Sequence, residues 1–477
     1  MLRSLWLLFL YVSFLGLSVP APFIATLGYV WVDAFGPQNV AYVLLNQMPV
    51  AMIMGAVAVG SYFALDRRSP PPLSAEWMLM IAMVVWVNLT MIWAQVPGAA
   101  WEKWDWAFKT LAFASFIPLV IRSRVQIEAF AQIYVFSLAA NFVPFGVKTL
   151  ISGGGYGANL GLLQGNSGLA EGGLLSTVCL MAVPLALHLS RFGQLIPRMK
   201  LTPLAYWAVA GLAVATAIGT YERSALIGLV ALVVYMWLRS RHKFGFGIVA
   251  VIVACLVIYS TSSAWNARIS TIGNFEQENS AYIRILVWRW TLEFTASHPL
   301  GGGFQTYLVD HIEVPGTQSS PPTIQFGRAF HSVYFEMLGE QGYPGLAMFL
   351  LLTVLVFLKL RRITKRARGD PQLEWAADLA DALQSGLAVF MTCGAFVGIA
   401  FQPAYWYFVA MSVSLSAYMW RAENQAAAPQ AGWRRMAAVG GLPSPVTPLA
   451  TPPVTPPVTP PWRRPAAARL RAPPPRR

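Results

Sequence analysis

Residues 174–190 read Leu-Leu-Ser-Thr-Val-Cys-Leu-Met-Ala-Val-Pro-Leu-Ala-Leu-His-Leu-Ser, with no acid, lysine or arginine, and the chain then enters a loop holding Arg191, Arg198 and Lys200. An apolar run near the ~20 residues that cross a bilayer, closed by a basic loop, is the repeating unit of a multi-pass helical membrane protein. Comparable runs occur at about 42–64, 77–95, 106–121, 126–146, 202–219, 225–238, 245–261, 344–359, 378–401 and 405–420. The region from Leu5 to Trp31 reads as one span or as two short ones. The expected fold is all-α, a polytopic membrane protein of about 12 transmembrane helices with both termini cytoplasmic.

Composition points the same way. The chain has 477 residues, 56% hydrophobic and 11% charged, with mean hydropathy +0.53, whereas soluble domains carry about 25% charged residues. Net charge is +14, but residues 421–477 hold nine arginines against Glu423 alone, and most other cations sit in short loops. That distribution is a topology signal, not a nucleic-acid footprint. Cys179, Cys255 and Cys393 lie far apart inside apolar runs, so they read as core residues and not as a disulfide or zinc framework.

Basic clusters at Asp66-Arg67-Arg68, Arg122-Ser123-Arg124, Arg191 to Lys200, Arg239-Ser240-Arg241-His242-Lys243 and Lys359 to Arg368 fall where alternation puts cytoplasmic loops. The segments 147–173 and 262–343, with the turn Tyr221-Glu222-Arg223, then face the periplasm. The loop 262–343, about eighty residues, is long enough to be functional or a small domain. Helical spacing covers Ser280 to Ala296, Gly301-Gly302-Gly303 forces a turn, and another helix starts near His331. Five regions follow: 1–200, an N-terminal transmembrane region; 201–261, further core helices; 262–343, the periplasmic loop; 344–420, the C-terminal helices; and 421–477, a Pro/Ala/Arg-rich cytoplasmic tail. From about Ala426 that tail reads as disordered or polyproline-like.

Several polar residues on the periplasmic side carry possible chemistry. Arg223 sits at a membrane boundary, where its planar fork suits phosphate oxygens and equally suits an interfacial anchor. Arg284 and Arg289 lie on the expected loop helix about 140° apart, so they need not face one pocket. Tyr282 belongs to the same helix. His331 has the pKa of a general base, and Glu336 and Glu340 follow it as supporting carboxylates. Lys103, Lys109 and Lys148 lie on or near the outer face beside Trp101, Trp104 and Trp106; of these Lys109 is the one taken as a diphosphate contact, the tryptophans reading as an interfacial belt. Outside the membrane no Asp-x-Asp or His/Asp cluster offers a divalent-metal site, and no cofactor is expected.

The segments Ser280-Ala-Tyr-Ile-Arg284-Ile-Leu-Val-Trp288-Arg289, His298-Pro-Leu-Gly-Gly-Gly-Phe304 and His331-Ser-Val-Tyr-Phe-Glu336 through Glu340-Gln-Gly342-Tyr-Pro-Gly345 resemble the O-antigen ligase and polymerase superfamily. Ala100-Trp-Glu-Lys-Trp-Asp105 is similar to its subgroup of O-glycosylation ligases associated with exosortase A systems. The resemblance implies a multi-pass enzyme of a bacterial inner membrane with its active site facing the periplasm. It also implies metal-independent transfer of a glycan from undecaprenyl diphosphate to a lipid, protein or polysaccharide acceptor, with membrane lipids and no nucleic acid as further partners. By motif match, His331 becomes the candidate base, and Arg284 and Arg223 meet the diphosphate. Two departures stand out: Glu222 where a small or serine residue is common, and Gly165-Asn166-Ser167-Gly168 as a loose match to an Asp/Asn-rich segment. Chemistry alone supports the same division, since a lipid diphosphate leaves well when its charge is stabilised while the acceptor hydroxyl needs a base. A polymerase is the near alternative. A lipid-linked glycan transporter is disfavoured because the span centres hold few charges and no internal repeat is evident.

Overall fold

The computed structural model describes residues 2–42, 44–66, 68, 70–152, 169, 171–239, 247, 279–314 and 323–438. The expected span at 245–261, the Gly165–Gly168 match, Cys255 and the tail beyond 438 lie outside these residues. The described residues of the first half include α1 (Leu2–Leu17), α2 (Phe23–Phe35), α3 (Pro37–Val40), α4 (Val50–Leu65), α5 (Ala75–Leu89), α6 (Pro97–Val120), α7 (Arg124–Ser152), α8 (Gly172–Phe192), α9 (Thr202–Gly219) and α10 (Arg223–Arg239). After them come α11 (Asn279–Ser297), the strands β1 (His311–Val314) and β2 (Thr323–Phe326), α12 (Val333–Ala367), α13 (Glu374–Cys393) and α14 (Pro403–Ala438).

Leu5 to Trp31 is two short helices, α1 and α2, parted at Pro20-Ala-Pro22, where the missing N–H groups and fixed φ stop a continuous helix. Among the described residues five helices are long and apolar enough to cross a membrane, and α1, α2 and α4 are shorter apolar ones, in keeping with a multi-pass membrane protein. At its C-terminal end α14 continues to Ala438. The stretch from about 426 that was expected to be disordered is therefore helical as far as Ala438, in keeping with the strong helix propensity of Ala426-Ala427-Ala428.

Helix α8 is the axis of the bundle. Its apolar window is 100% buried, the signature of a helix apolar all round and enclosed by others. It packs against α7, α9, α10 and α13, while α12 packs against α5 and α13. At one end of α8, Arg191 donates to Asp378 of α13 at 2.7 Å, and Arg368, just past α12, donates to Asp381 at 2.8 Å. At the other end lies Glu171. Twenty residues at 1.5 Å each separate the ends by ~30 Å, the thickness of a bilayer core.

The loop layer at the Glu171 end contains a two-stranded antiparallel hairpin, His311 opposite Phe326 and Val314 opposite Thr323. The sequence reading expected no strands there. Four residues each side of a Pro/Ser-rich link are too few for a period-2 pattern to stand out. A satellite core of Val287, Ile312 and Phe330 ties the hairpin to α11 and the start of α12. Each of these side chains contributes about 1.5–3 kcal/mol by leaving water. Trp288 fixes the junction: its ring stacks on Phe335 at 4.9 Å and its Nε1 donates to the Phe330 carbonyl at 2.8 Å.

Helix α12 is broken from within. Gly342 has φ +68°, outside the helical region, just before Pro344. The carbonyls freed by that break are capped by the triple-glycine turn: Gly302 N–H donates to Gly339 O at 2.9 Å, and Gly303 N–H donates to Glu340 O at 3.0 Å. Tyr343 N–H returns a bond to Pro299 O at 3.0 Å, and Trp86 Nε1 donates to Gln341 O at 2.9 Å. The two backbones meet so closely that a Cβ on Gly342 would lie 2.3 Å from the Leu300 carbonyl carbon. This contact explains the two glycine motifs as one joint, and it satisfies polar backbone that lipid could not.

Candidate functional site

The joint aims one face of α12 into a cavity of about 220 Å³ whose wall includes Lys103, Glu171, Gln305, His331, Glu336 and Glu340. Glu336 and Glu340 are one helical turn apart and share a face. Lys103, from the start of α6, reaches between them: its Nζ donates to Glu336 Oε1 at 2.6 Å and to both Glu340 oxygens at 2.7 and 2.8 Å. The rings of Phe304 and Phe401 lie 5.8 and 5.3 Å from the same ammonium. The one carboxylate oxygen left over, Glu336 Oε2, accepts from Ala400 N–H, and Glu340 Oε1 accepts from Gln305 N–H as well, both at 2.9 Å. One lysine thus serves two carboxyl groups.

His331 precedes this helix face with φ +47°. Among the described residues the non-glycines with positive φ are Leu44, Tyr221, Gln305 and His331. Two of these line the cavity, and Tyr221 precedes Glu222 and Arg223. Left-handed backbone at ordinary residues stores strain, which concentrates where a side chain must be aimed. The segment leading to His331 is held from both sides. Asp310 accepts from Arg328 N–H at 3.1 and 3.2 Å, and Val333 N–H donates to Gly394 O at 2.7 Å. Burial pushes the Asp310 carboxyl up to about 6, with the N–H groups of Arg328 and Gly327 acting against it.

The His331 imidazole is held below its ordinary range, first by burial and then by the Arg284 and Arg328 guanidiniums, with Glu336 opposing. His331 is thus neutral, and able to accept a proton, to lower pH than a free histidine. Glu171, open to solvent on one side, is pushed up by burial and by the neighbouring Glu222 and Glu336 carboxylates, with Arg284 pulling it down.

The structure brings His331, Glu336 and Glu340 together in one cavity and sets Arg284 within electrostatic reach of His331. Arg223 opens α10. Its neighbour Glu222 abuts Gly172 beside Glu171, although Arg223 itself is not among the wall residues. Tyr282 is half-buried in the first turn of α11. Arg289 and Lys109 both face solvent, each paired with an acid one turn away: Arg289 with Glu293 at 2.9 Å and Lys109 with Asp105 at 2.7 Å. Glu171, Gln305 and Arg328 were not singled out from the sequence, and Lys103 was named there only beside Lys109, which was preferred to it. For Lys103 a signal existed, because two carboxylates on one buried helix face require a cation, and six positions at 100° each put Lys103 and Lys109 on different faces.

Residues 208–350 match the family described as O-antigen ligase, and residues 2–194 match a family of unknown function, DUF5935. No curated protein matches the chain.

Proposed function

We propose that the protein is a membrane glycosyltransferase that moves a glycan from undecaprenyl diphosphate to an acceptor hydroxyl at the periplasmic face of a bacterial inner membrane. The O-antigen ligase match over 208–350 supports lipid-linked glycan transfer in general. The observation that carries the reading is the setting of His331, in one cavity wall with Lys103, Glu336 and Glu340 and within electrostatic reach of the Arg284 and Arg328 guanidiniums. His331 takes the proton from the acceptor hydroxyl. The oxygen bonds to the anomeric carbon, the bond from that carbon to phosphate oxygen breaks, and the electron pair leaves with the diphosphate. Arg284 and Arg223 neutralise that leaving charge in a low-dielectric site. Arg289 and Lys109, committed to local acids, are left out of the set. Transfer is metal-independent on this reading, since Lys103 already supplies the cation that the Glu336–Glu340 pair requires.

Ligase and polymerase share this chemistry and differ in the acceptor, so a ladder of lipid-linked products without a separate acceptor identifies a polymerase. Assignment to the exosortase-associated subgroup is part of the proposal and rests on Ala100 to Asp105, the stretch that contributes Lys103. Twelve spans belong to it as well. In the central test, purified protein given the lipid-linked donor releases undecaprenyl diphosphate and His331→Ala abolishes release; full activity in that variant would remove the base from the mechanism.

A further inference from the structure

Gln305 holds a backbone conformation that a glutamine does not favour. Its φ is +57°, close behind Gly301 at +80° and Gly303 at +77°. The turn thus already uses glycine twice where the chain goes left-handed, and glycine at 305 would meet the same demand without the strain that a Cβ brings. The backbone bond made there is Gln305 N–H to Glu340 Oε1 at 2.9 Å. A glycine N–H would donate it equally well, so the backbone alone gives no reason for a glutamine. Its side chain lines the cavity of about 220 Å³ that His331 also lines. The Tyr307 hydroxyl lies 3.5 Å from Gln305 Oε1. Among the described residues nothing accepts from Gln305 Nε2, and that atom is not sealed away from the cavity. A carboxamide N–H matches a hydroxyl oxygen, which accepts from it while giving its own proton elsewhere.

We infer that Gln305 is a substrate-binding residue, its Nε2–H donating to the oxygen of the acceptor hydroxyl while the proton of that hydroxyl points to His331. The inference rests on the transferase reading and adds to it the group that orients the nucleophile. Held by the imidazole alone, the hydroxyl could swing about one hydrogen bond; a second bond from a fixed donor sets the direction of the oxygen as well. The amide neither gains nor loses a proton in the step. His331 takes the hydroxyl proton, the oxygen bonds to the anomeric carbon, and the electron pair leaves with the diphosphate as before.

Gln305→Gly in the full chain, reconstituted in lipid nanodiscs, separates the two demands, because it keeps the N–H to Glu340, relaxes the backbone and deletes the amide. The variant should melt at or above the wild-type temperature. With the lipid-linked donor as substrate, kcat for release of undecaprenyl diphosphate should fall about tenfold or more while KM for the donor stays within about twofold. The acid limb of the pH–rate profile should stay where the wild type has it, since the glutamine does not titrate. Release within about twofold of wild type overturns the inference. A lower melting temperature overturns it too, by making the side chain a support of the fold. So does a shifted acid limb, which would have the glutamine act through His331 or Glu340, and so does a raised donor KM, which would move its contact to the donor. Wild-type protein that releases no undecaprenyl diphosphate refutes the transferase reading itself, whereas an active wild type matched by an active Gln305→Gly variant refutes only the role of Gln305.

Discussion

Replacing Lys103 with methionine keeps the length of the side chain and removes its charge, leaving Glu336 and Glu340 facing each other. Their side chains are only 7% and 0% exposed, so water is not available to replace three charge-assisted contacts of 2.6–2.8 Å. Removing one partner of a buried ion pair costs about 3–5 kcal/mol, most of it the uncompensated charge that remains. Neutralising that charge should recover much of the loss, so Lys103→Met combined with Glu340→Gln should melt above Lys103→Met alone. The assay is thermal unfolding in detergent micelles of the wild type, the two single variants and the double variant, arranged as a double-mutant cycle. A Lys103→Met protein that melts within about 1 °C of wild type, where 1 kcal/mol shifts a domain by a few degrees, would refute the claim that this lysine holds the Glu336–Glu340 face of α12. So would strictly additive losses.

The acid limb of the kcat/KM profile should fall below the ordinary histidine range, because burial, Arg284 and Arg328 all favour neutral His331. Arg328→Gln should shift that limb to higher pH, and an unshifted limb would separate the limb from His331. Gly342→Ala forces an L-residue to φ +68° and puts Cβ 2.3 Å from the Leu300 carbonyl carbon; strain of about 1–3 kcal/mol plus the overlap should lower the melting temperature and donor release together, and a variant indistinguishable from wild type would disprove the joint. Arg289→Ala and Lys109→Ala should each retain donor release within about twofold, since exposed i,i+4 pairs contribute a few tenths of a kcal/mol; a tenfold loss would return either to the diphosphate site. EDTA should leave donor release unchanged, and a loss restored by Mg²⁺ would argue against lysine as the counter-ion of the carboxylate pair.

Much of the bundle was legible because lipid imposes a strong pattern: α8, α9 and α10 begin and end within two residues of their apolar runs, whereas α7 continues to Ser152, six residues past its run. The loop helix α11 and the start of α12 were also legible, from side-chain spacing and from the turn after His298. The hairpin was not, being too short for periodicity. Within the site, His331, Glu336 and Glu340 could be read from one continuous motif. Lys103 lies 233 residues from Glu336, and a pairing across that distance leaves no local pattern, while the tryptophans around it resemble an ordinary interfacial belt. Arg328 was passed over because its setting is decided by Asp310 and the hairpin, which only the fold supplies.

The glycine joint between residues 299–303 and 339–343 anchors both ends of what lies between them. The described residues from Phe304 to Phe330 are therefore fastened at that base, and the Asp310–Arg328 bonds within them help to hold the segment that leads to His331. On the transferase reading, exchanging the strands should alter which glycan is accepted while the joint keeps Glu336 and Glu340 in their places on α12.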